Sequence, residues 1–287
     1  MGFIEAIILG LVQGLTEFLP ISSSAHVRIV GEAFGHDPGA TFTAIIQIGT
    51  EVAVILYFWR DITRIIGKWF RHFAPNSGVP RGDSDVRLGW LIIIGTLPIG
   101  IVGYLAQSEI RTVFRSLWLV AIVLIVFGLL LGLADWLGHR RRAIGDMTYP
   151  HGLLVGLAQV LALVPGVSRS GATTTMALSL GYTRPAAARF AFLLAIPAVL
   201  GSGLYELVQA LKGDGAADAT GGALPVVPLG LAETALATIV SFVVGYAVIA
   251  FLMRWLQTRS FLPFVIYRVL LGGTLMVLLA ANVLQPY

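Results

Sequence analysis

The chain has 287 residues, of which 57% are hydrophobic and only 12% charged, and it contains no cysteine. Soluble domains carry about a quarter charged residues, so this composition, with a mean hydropathy of +0.86, points to a lipid-facing protein. Disulfides, thiolate zinc sites and cysteine nucleophiles are excluded. The pI of about 9.6 is a topology signal rather than a nucleic-acid face, because the basic residues sit in a few loops between apolar segments. No nucleic-acid partner is expected.

The first apolar stretch, Phe3–Leu19, lacks a basic leader and an A-x-A-like cleavage site and is expected to be retained. It runs straight into Pro20-Ile21-Ser22-Ser23-Ser24-Ala25-His26. Spanning segments of about 20 apolar residues are then expected at Phe42–Trp59, Leu88–Leu105 and Leu117–Leu137. A second short stretch, Leu153–Val164, again meets a proline and hydroxyl residues, Pro165-Gly166-Val167-Ser168-Arg169-Ser170-Gly171-Ala172-Thr173. Three more spans follow at Ala188–Leu207, Leu229–Leu252 and Leu262–Leu284. The fold class is therefore an all-α integral membrane protein with six transmembrane helices and two interrupted segments.

Charge sets the orientation. Arg60, Arg64, Lys68, Arg71, Arg81 and Arg87 precede the second span, Arg140, Arg141 and Arg142 follow the third, and Arg254 and Arg259 follow the fifth. These loops are assigned to the cytoplasm. Arg28, Arg111, Arg115 and Lys212 are diluted by Glu32, Asp37, Glu109, Asp214 and Asp218 in the remaining loops. Parity then requires the segment from Leu153 to about Arg184 to enter and return on the cytoplasmic side. Phe3–Ala40 must do the same from outside, and both termini lie outside. Gly10-Leu11-Val12-Gln13 recurs as Gly156-Leu157-Ala158-Gln159, and at the same offset Ser22 matches Ser168 and Ser24 matches Ser170. One membrane domain, 1–287, built from inverted repeats of about 1–145 and 146–287, is the expected organisation.

The interrupted segments carry the chemistry. Gln13 and Glu17 share a helical face. Pro20 ends the helix, and a second half-helix is expected to restart near Ser22–Ser24, with free N–H groups suited to an anion. On that half-helix Ser23 and His26 fall on one face, a hydroxyl beside an imidazole, and a nearby carboxylate could orient the imidazole or hold a metal. A helix cap and an interfacial histidine would explain one serine. They do not explain Gln13, Glu17, three consecutive serines and His26 in one apolar region, where ionisable groups cost about 2.5–3.5 kcal/mol each. In the second break Ser168, Ser170, Thr173, Thr174 and Thr175 offer hydroxyls, and Arg169 offers a planar fork for phosphate oxygens. Together they suggest phosphoryl chemistry on a lipid-tailed substrate.

Other polar residues are weaker candidates. Gln47 and Glu51 face the interior of Phe42–Trp59, where Gln47 lines the site or bonds a neighbouring helix. Asp135 and Glu206 are expected to be solvated at helix ends, and Glu233, near the outer end of its span, is unremarkable. Arg184, Arg189 and Arg268 are expected to reach the cytoplasmic interface. His36, His72, His139 and His151 show no metal-ligand spacing, and Gly272-Gly273 suits helix packing.

Gln13-Gly14-Leu15-Thr16-Glu17-Phe18-Leu19-Pro20-Ile21-Ser22-Ser23-Ser24-Ala25-His26 and Pro165–Thr173 resemble the two signatures of the bacterial undecaprenyl-diphosphate phosphatases of the bacitracin-resistance type. The likeness continues through Phe42–Trp59, Phe190–Pro197 and Ser260–Arg268. It implies hydrolysis of undecaprenyl diphosphate to undecaprenyl phosphate and inorganic phosphate, recycling the lipid carrier of cell-wall synthesis. It also implies a divalent cation, Mg or Ca, and a site open to the outer side of the bacterial cytoplasmic membrane. By position Ser23 would be the nucleophile, His26 its base or proton shuttle and Glu17 a catalytic or metal-associated carboxylate. Arg169 would anchor the diphosphate, with Ser168, Ser170 and Thr173 assisting and Gln13, Ser22 and Gln47 beside them. Local chemistry alone leaves Ser22, Ser23 and Ser24 open as nucleophile. Gln13 stands where many members have an acidic residue, so a metal site needing two carboxylates from this motif is in question. A transporter or flippase of polyprenyl phosphate is the competing reading. Oligomeric state, including a homo-oligomer, is left open.

Overall fold

A computed structural model describes residues 2–80, 82–106, 116–212 and 230–284. Leu229, where one span was expected to begin, and Arg81, Glu109, Arg111, Arg115, Asp214 and Asp218 lie outside the described residues.

Among the described residues the regular structure is helical, with no strand beyond one isolated bridge between Arg142 and Tyr182. Helices α1 (Phe3–Thr16) and α2 (Ser23–Ala33) flank the first break, and α7 (Tyr149–Val160) and α8 (Arg169–Ser179) flank the second. Six helices are long and apolar enough to cross a membrane. They are α3 (Ala40–Tyr57), α5 (Ser84–Leu105), α6 (Leu117–Leu137), α9 (Arg184–Lys212), α10 (Leu231–Trp255) and α11 (Leu262–Ala280). Leu97, Ile101, Leu129, Val243, Leu270 and Val277 stand exposed on their outer faces, where lipid rather than water is the favourable neighbour. The chain is a multi-pass membrane protein.

The expected spans are recovered with shifted ends. α9 is longer than Ala188–Leu207, because the helix begins at Arg184 and continues to Lys212, with Pro197 accommodated inside it. One helix had no counterpart in the sequence reading: α4 (Trp59–Arg71). Beyond Trp59, the end of the expected span Phe42–Trp59, its residues entered that reading only as loop charge. Arg60, Arg64, Lys68 and Arg71 recur at helical spacing, and Trp59, Ile66 and Phe70 are exposed between them. That is the pattern of a helix lying in the membrane interface.

The halves share local geometry at matching positions. Ser22 and Ser168, each the residue before a half-helix, have φ of 74° and 69°. Gly35 and Gly181, just past the ends of those half-helices, have φ of 84° and 85°. α1 packs on α10 as α7 packs on α5. A Cβ at Gly10 would fall 2.5 Å from the Ala237 carbonyl oxygen, and one at Gly156 would fall 2.4 Å from that of Gly95. The repeated Gly therefore permits the close approach that seats each broken helix.

Three buried polar contacts differ from expectation. Asp135 is not solvated: its oxygens accept from Arg184 Nε at 2.6 Å, Arg184 Nη2 at 3.0 Å and the Phe261 N–H at 3.0 Å. It joins the end of α6 to the starts of α9 and α11, and the apolar surroundings reward a fully paired carboxylate. Glu206 is likewise buried and accepts from Thr41 Oγ1 at 2.9 Å, bonding α9 to α3. Arg268 does not reach the interface. It is completely buried on α11 and donates to backbone carbonyls at both breaks.

Candidate active site

Each break is a helix that stops and restarts. Pro20 has no N–H to continue α1, and the chain turns through Ile21 before Ser22 adopts its left-handed conformation and α2 begins. In the second break Gly166, with φ of 95°, makes the turn, and Ser168 caps α8 by accepting from the Gly171 N–H at 3.2 Å. Arg268 fixes the breaks against each other. Its Nη1 donates to the carbonyls of Pro20 (3.0 Å) and Val167 (3.1 Å), and its Nη2 to that of Gly166 (2.8 Å). Nε donates to Leu124 O at 3.0 Å. Ser170 Oγ adds a second tie, donating to the carbonyls of Leu19 (3.3 Å) and Glu17 (3.4 Å).

Glu17 is the centre of the resulting cluster and is buried. Its Oε2 accepts from Ser23 Oγ at 2.6 Å and Gln13 Nε2 at 2.7 Å. Its Oε1 is paired with Arg169 of the opposite break. Arg169 Nη2 also reaches Glu51 Oε1 on α3 at 3.2 Å. Expected residues Gln13, Glu17, Ser23 and Arg169 are thus gathered, and Glu51 joins them. The sequence had placed Glu51 in the interior, but nothing in it named Arg169 as partner.

His26 is held differently from the expected pairing. Its Nδ1 bonds the Ser22 carbonyl at 2.7 Å and its Nε2 the Tyr267 hydroxyl at 2.7 Å, with the two rings stacked 5.6 Å apart. Ser23 Oγ is turned to Glu17 instead, because a carboxylate is the stronger acceptor and lies within reach across the break. Tyr267 was missed; on an apolar helix, a tyrosine carries no signal that sets it apart from a membrane-interface residue. The hydroxyls of the second break are engaged in holding backbone. Ser168 Oγ contacts Ser170 Oγ at 3.1 Å, and Thr173 Oγ1 donates to the Arg169 carbonyl at 2.7 Å. Ser22 Oγ lies 3.3 Å from Ser24 Oγ. Gln47 is half-buried, and its carbonyl accepts from Thr50 at 2.8 Å; among the described residues its side chain makes no hydrogen bond to the cluster.

No group of three His, Asp or Glu side chains is gathered for a metal among the described residues. The cluster does hold two carboxylates and an amide, and Gln13 Oε1 and Glu51 Oε2 are buried without hydrogen-bond partners. An all-oxygen set of this kind suits a hard divalent cation.

A hydroxyl on a buried carboxylate, an arginine across from it, and two half-helices starting at the same place make this cluster, among the membrane-crossing helices, the candidate group-transfer site. The comparisons with known proteins give the family. Residues 6–274 match the family described as Bacitracin resistance protein BacA. The chain is 61% identical over 282 residues to an undecaprenyl-diphosphatase of Clavibacter michiganensis, covering 98% of each. It is 59% identical to one from Micrococcus luteus, covering 99% of this chain and 100% of that one. A third, from Paenarthrobacter aurescens, is 55% identical over 287 residues. The chain belongs to the bacitracin resistance protein BacA family.

Proposed function

We propose that this chain hydrolyses undecaprenyl diphosphate to undecaprenyl phosphate and inorganic phosphate, returning the lipid carrier to cell-wall synthesis. The observation that carries this reading is the Ser23–Glu17–Arg169 line, a hydroxyl, a base and an anion-binding fork drawn from both breaks. Ser23 Oγ attacks the terminal phosphorus and gives its proton to Glu17 Oε2, 2.6 Å away. The bond from that phosphorus to the bridging oxygen breaks, and undecaprenyl phosphate leaves with that oxygen. Water then attacks the phosphorus of the phosphoserine, the bond from that phosphorus to Ser23 Oγ breaks, Oγ takes the proton back from Glu17, and the phosphate departs carrying the oxygen and both protons of the water. His26, fixed by the Ser22 carbonyl and Tyr267, sits one turn along α2, where it can carry a proton between site and solvent. Arg169 and the free N–H groups starting α2 and α8 hold the diphosphate oxygens. A divalent cation, Mg or Ca, would be held by Glu17 and would neutralise phosphoryl charge.

The site is read as opening outward from the bacterial cytoplasmic membrane. Arg60, Arg64, Lys68 and Arg71 lie on α4, Arg87 in the first turn of α5, Arg140–Arg142 after α6, Arg254 at the end of α10 and Arg259 just beyond it, which supports placing these ends in the cytoplasm. With six crossings and two re-entrant segments both termini then lie outside. The paired φ values at Ser22 and Ser168 support an inverted repeat of about 1–145 and 146–287 in one membrane domain. Phosphate release from polyprenyl diphosphate by the purified chain tests the reading. Full turnover retained in both Ser23→Ala and Arg169→Ala would overturn the site.

The repeat also favours a second reading, movement of polyprenyl phosphate between leaflets, since two opposed breaks can open to either side. Lipid movement in liposomes that survives loss of hydrolysis would establish it.

A further inference from the structure

Glu51 has no task in the reaction as written above. It is completely buried in the middle of α3, in a helix that crosses the membrane, yet it carries a carboxylate. One oxygen accepts from Arg169 Nη2 at 3.2 Å, and the other has no hydrogen-bond partner. Gln13 repeats the pattern on α1. It too is completely buried, its Nε2 donates to Glu17 Oε2, and its Oε1 has no hydrogen-bond partner. Unpaired acceptors are costly inside a protein and more so in a membrane. Here two of them belong to side chains that converge on the same pair, Glu17 and Arg169.

Charge sharpens the point. Two carboxyl groups, Glu17 and Glu51, share one guanidinium, so away from water the cluster holds more acidic groups than cationic partners. A diphosphate cannot use Arg169 while both carboxylates hold it, and the same carboxylates would repel the substrate. A small dication resolves both conflicts. It accepts oxygen from Glu17 Oε1, Glu51 and Gln13 Oε1, all neutral or anionic donors of the hard type. Glu17 Oε2 remains turned to Ser23, so the two oxygens of Glu17 serve different partners.

We propose that Glu51 is a ligand of a divalent-cation site completed by Glu17 and Gln13 Oε1, and that the cation displaces the Arg169 guanidinium and frees it for the diphosphate. Arg169 is a placeholder in the cation-free site and an anchor in the loaded one. Glu51 thereby supplies the second carboxylate that Gln13 cannot. The role of the released Arg169 rests on the phosphatase reading; the cation site does not.

The test is Mn²⁺ binding to the full chain in detergent, followed by electron paramagnetic resonance, in wild type, Glu51→Gln and Arg169→Gln. Wild type binds one Mn²⁺ per chain in competition with Mg²⁺. Glu51→Gln weakens binding at least tenfold, and Arg169→Gln strengthens it severalfold because the competing guanidinium is gone. A merely structural ion pair between Arg169 and Glu51 would give no tightening in Arg169→Gln, and that result overturns the proposal. So does wild-type affinity in Glu51→Gln. If Glu51→Gln does not fold, judged by its thermal transition, the Arg169→Gln measurement alone decides. The expected Mn²⁺ pattern without phosphate release from polyprenyl diphosphate would leave the cation site standing and overturn the phosphatase reading. Phosphate release without that pattern would do the reverse.

Discussion

Ser23 gives its hydroxyl to Glu17 at 2.6 Å, not to His26 three residues along the same helix. The difference decides which side chain takes the proton when Ser23 acts as nucleophile. General-base assistance contributes roughly 10²–10⁴-fold. Glu17→Gln is therefore expected to lower the rate of phosphate release by about that range, and Ser23→Ala to lower it at least as much. His26→Ala, which loses the Tyr267 contact and a proton route, is expected to lose less. Phosphate release from polyprenyl diphosphate at saturating substrate checks this. A larger loss in His26→Ala than in Glu17→Gln would return the base role to the imidazole.

Arg268 is the strongest structural tie between the two breaks. It donates to the carbonyls of Pro20, Val123, Leu124, Gly166 and Val167. Replacing it by Met leaves the carbonyls of Pro20, Gly166 and Val167, which lie outside the helices, buried without donors, at about 1–3 kcal/mol for each that water cannot reach. Arg268→Met is expected to destabilise the protein by more than about 3 kcal/mol, and Arg268→Lys to recover only part, because an ammonium cannot spread three nitrogens over separated carbonyls. Thermal unfolding in detergent measures both. An unchanged transition in Arg268→Met would refute the tie.

How much of this was legible in the sequence depends on the range of each contact. Gln13, Glu17, Ser23 and Arg169 stood out because a polar side chain in an apolar stretch is conspicuous, and α1, α2, α7 and α8 followed from the prolines that interrupt them. Glu51 was visible as an interior carboxylate, but its partner lies in another helix, so spacing could not supply the pair. Arg268 was misread for a physical reason. An arginine near a helix end normally snorkels, and only the meeting of two breaks creates the carbonyl cluster that keeps it inside. Asp135 was misread likewise, since Arg184 lies far along the chain. α4 was hidden because closely spaced charges look like a loop when they are counted only for topology.

Asp83 couples α5 to pH. Its Oδ1 caps the helix, accepting from the N–H groups of Asp85 (2.8 Å) and Val86 (3.4 Å), and its Oδ2 accepts from Lys68 Nζ at 2.9 Å. The hydrogen bond from Lys68 holds the carboxyl below the usual carboxylate range. A depressed folded-state pKa gives stability that is present above the unfolded value, about 4 for an aspartate, and is lost as pH falls through the folded value. Asp83→Ala is therefore expected to cost about 1 kcal/mol at neutral pH, and its gap from wild type to narrow below about pH 4. Thermal transitions of both proteins across pH 3–7 would show it, and a constant gap would argue against the coupling.

Ser22 and Ser168 start the two half-helices in the same backbone conformation but with different side-chain partners. Both hold a positive φ, at 74° and 69°, that costs a residue with a Cβ about 1–3 kcal/mol. Glycine removes that strain. Their side chains, however, are not equivalent. Ser168 Oγ caps the Gly171 N–H, while Ser22 Oγ makes only a 3.3 Å contact to Ser24 Oγ and caps nothing. Ser22→Gly is thus expected to stabilise the protein by about 1 kcal/mol. In Ser168→Gly the relief and the lost cap, each about 1 kcal/mol, nearly cancel. Alanine at either position keeps the strain and gains nothing. Paired unfolding measurements on the glycine variants read the difference, and equal shifts at the two positions would show that the Ser168 cap contributes nothing to holding the second break.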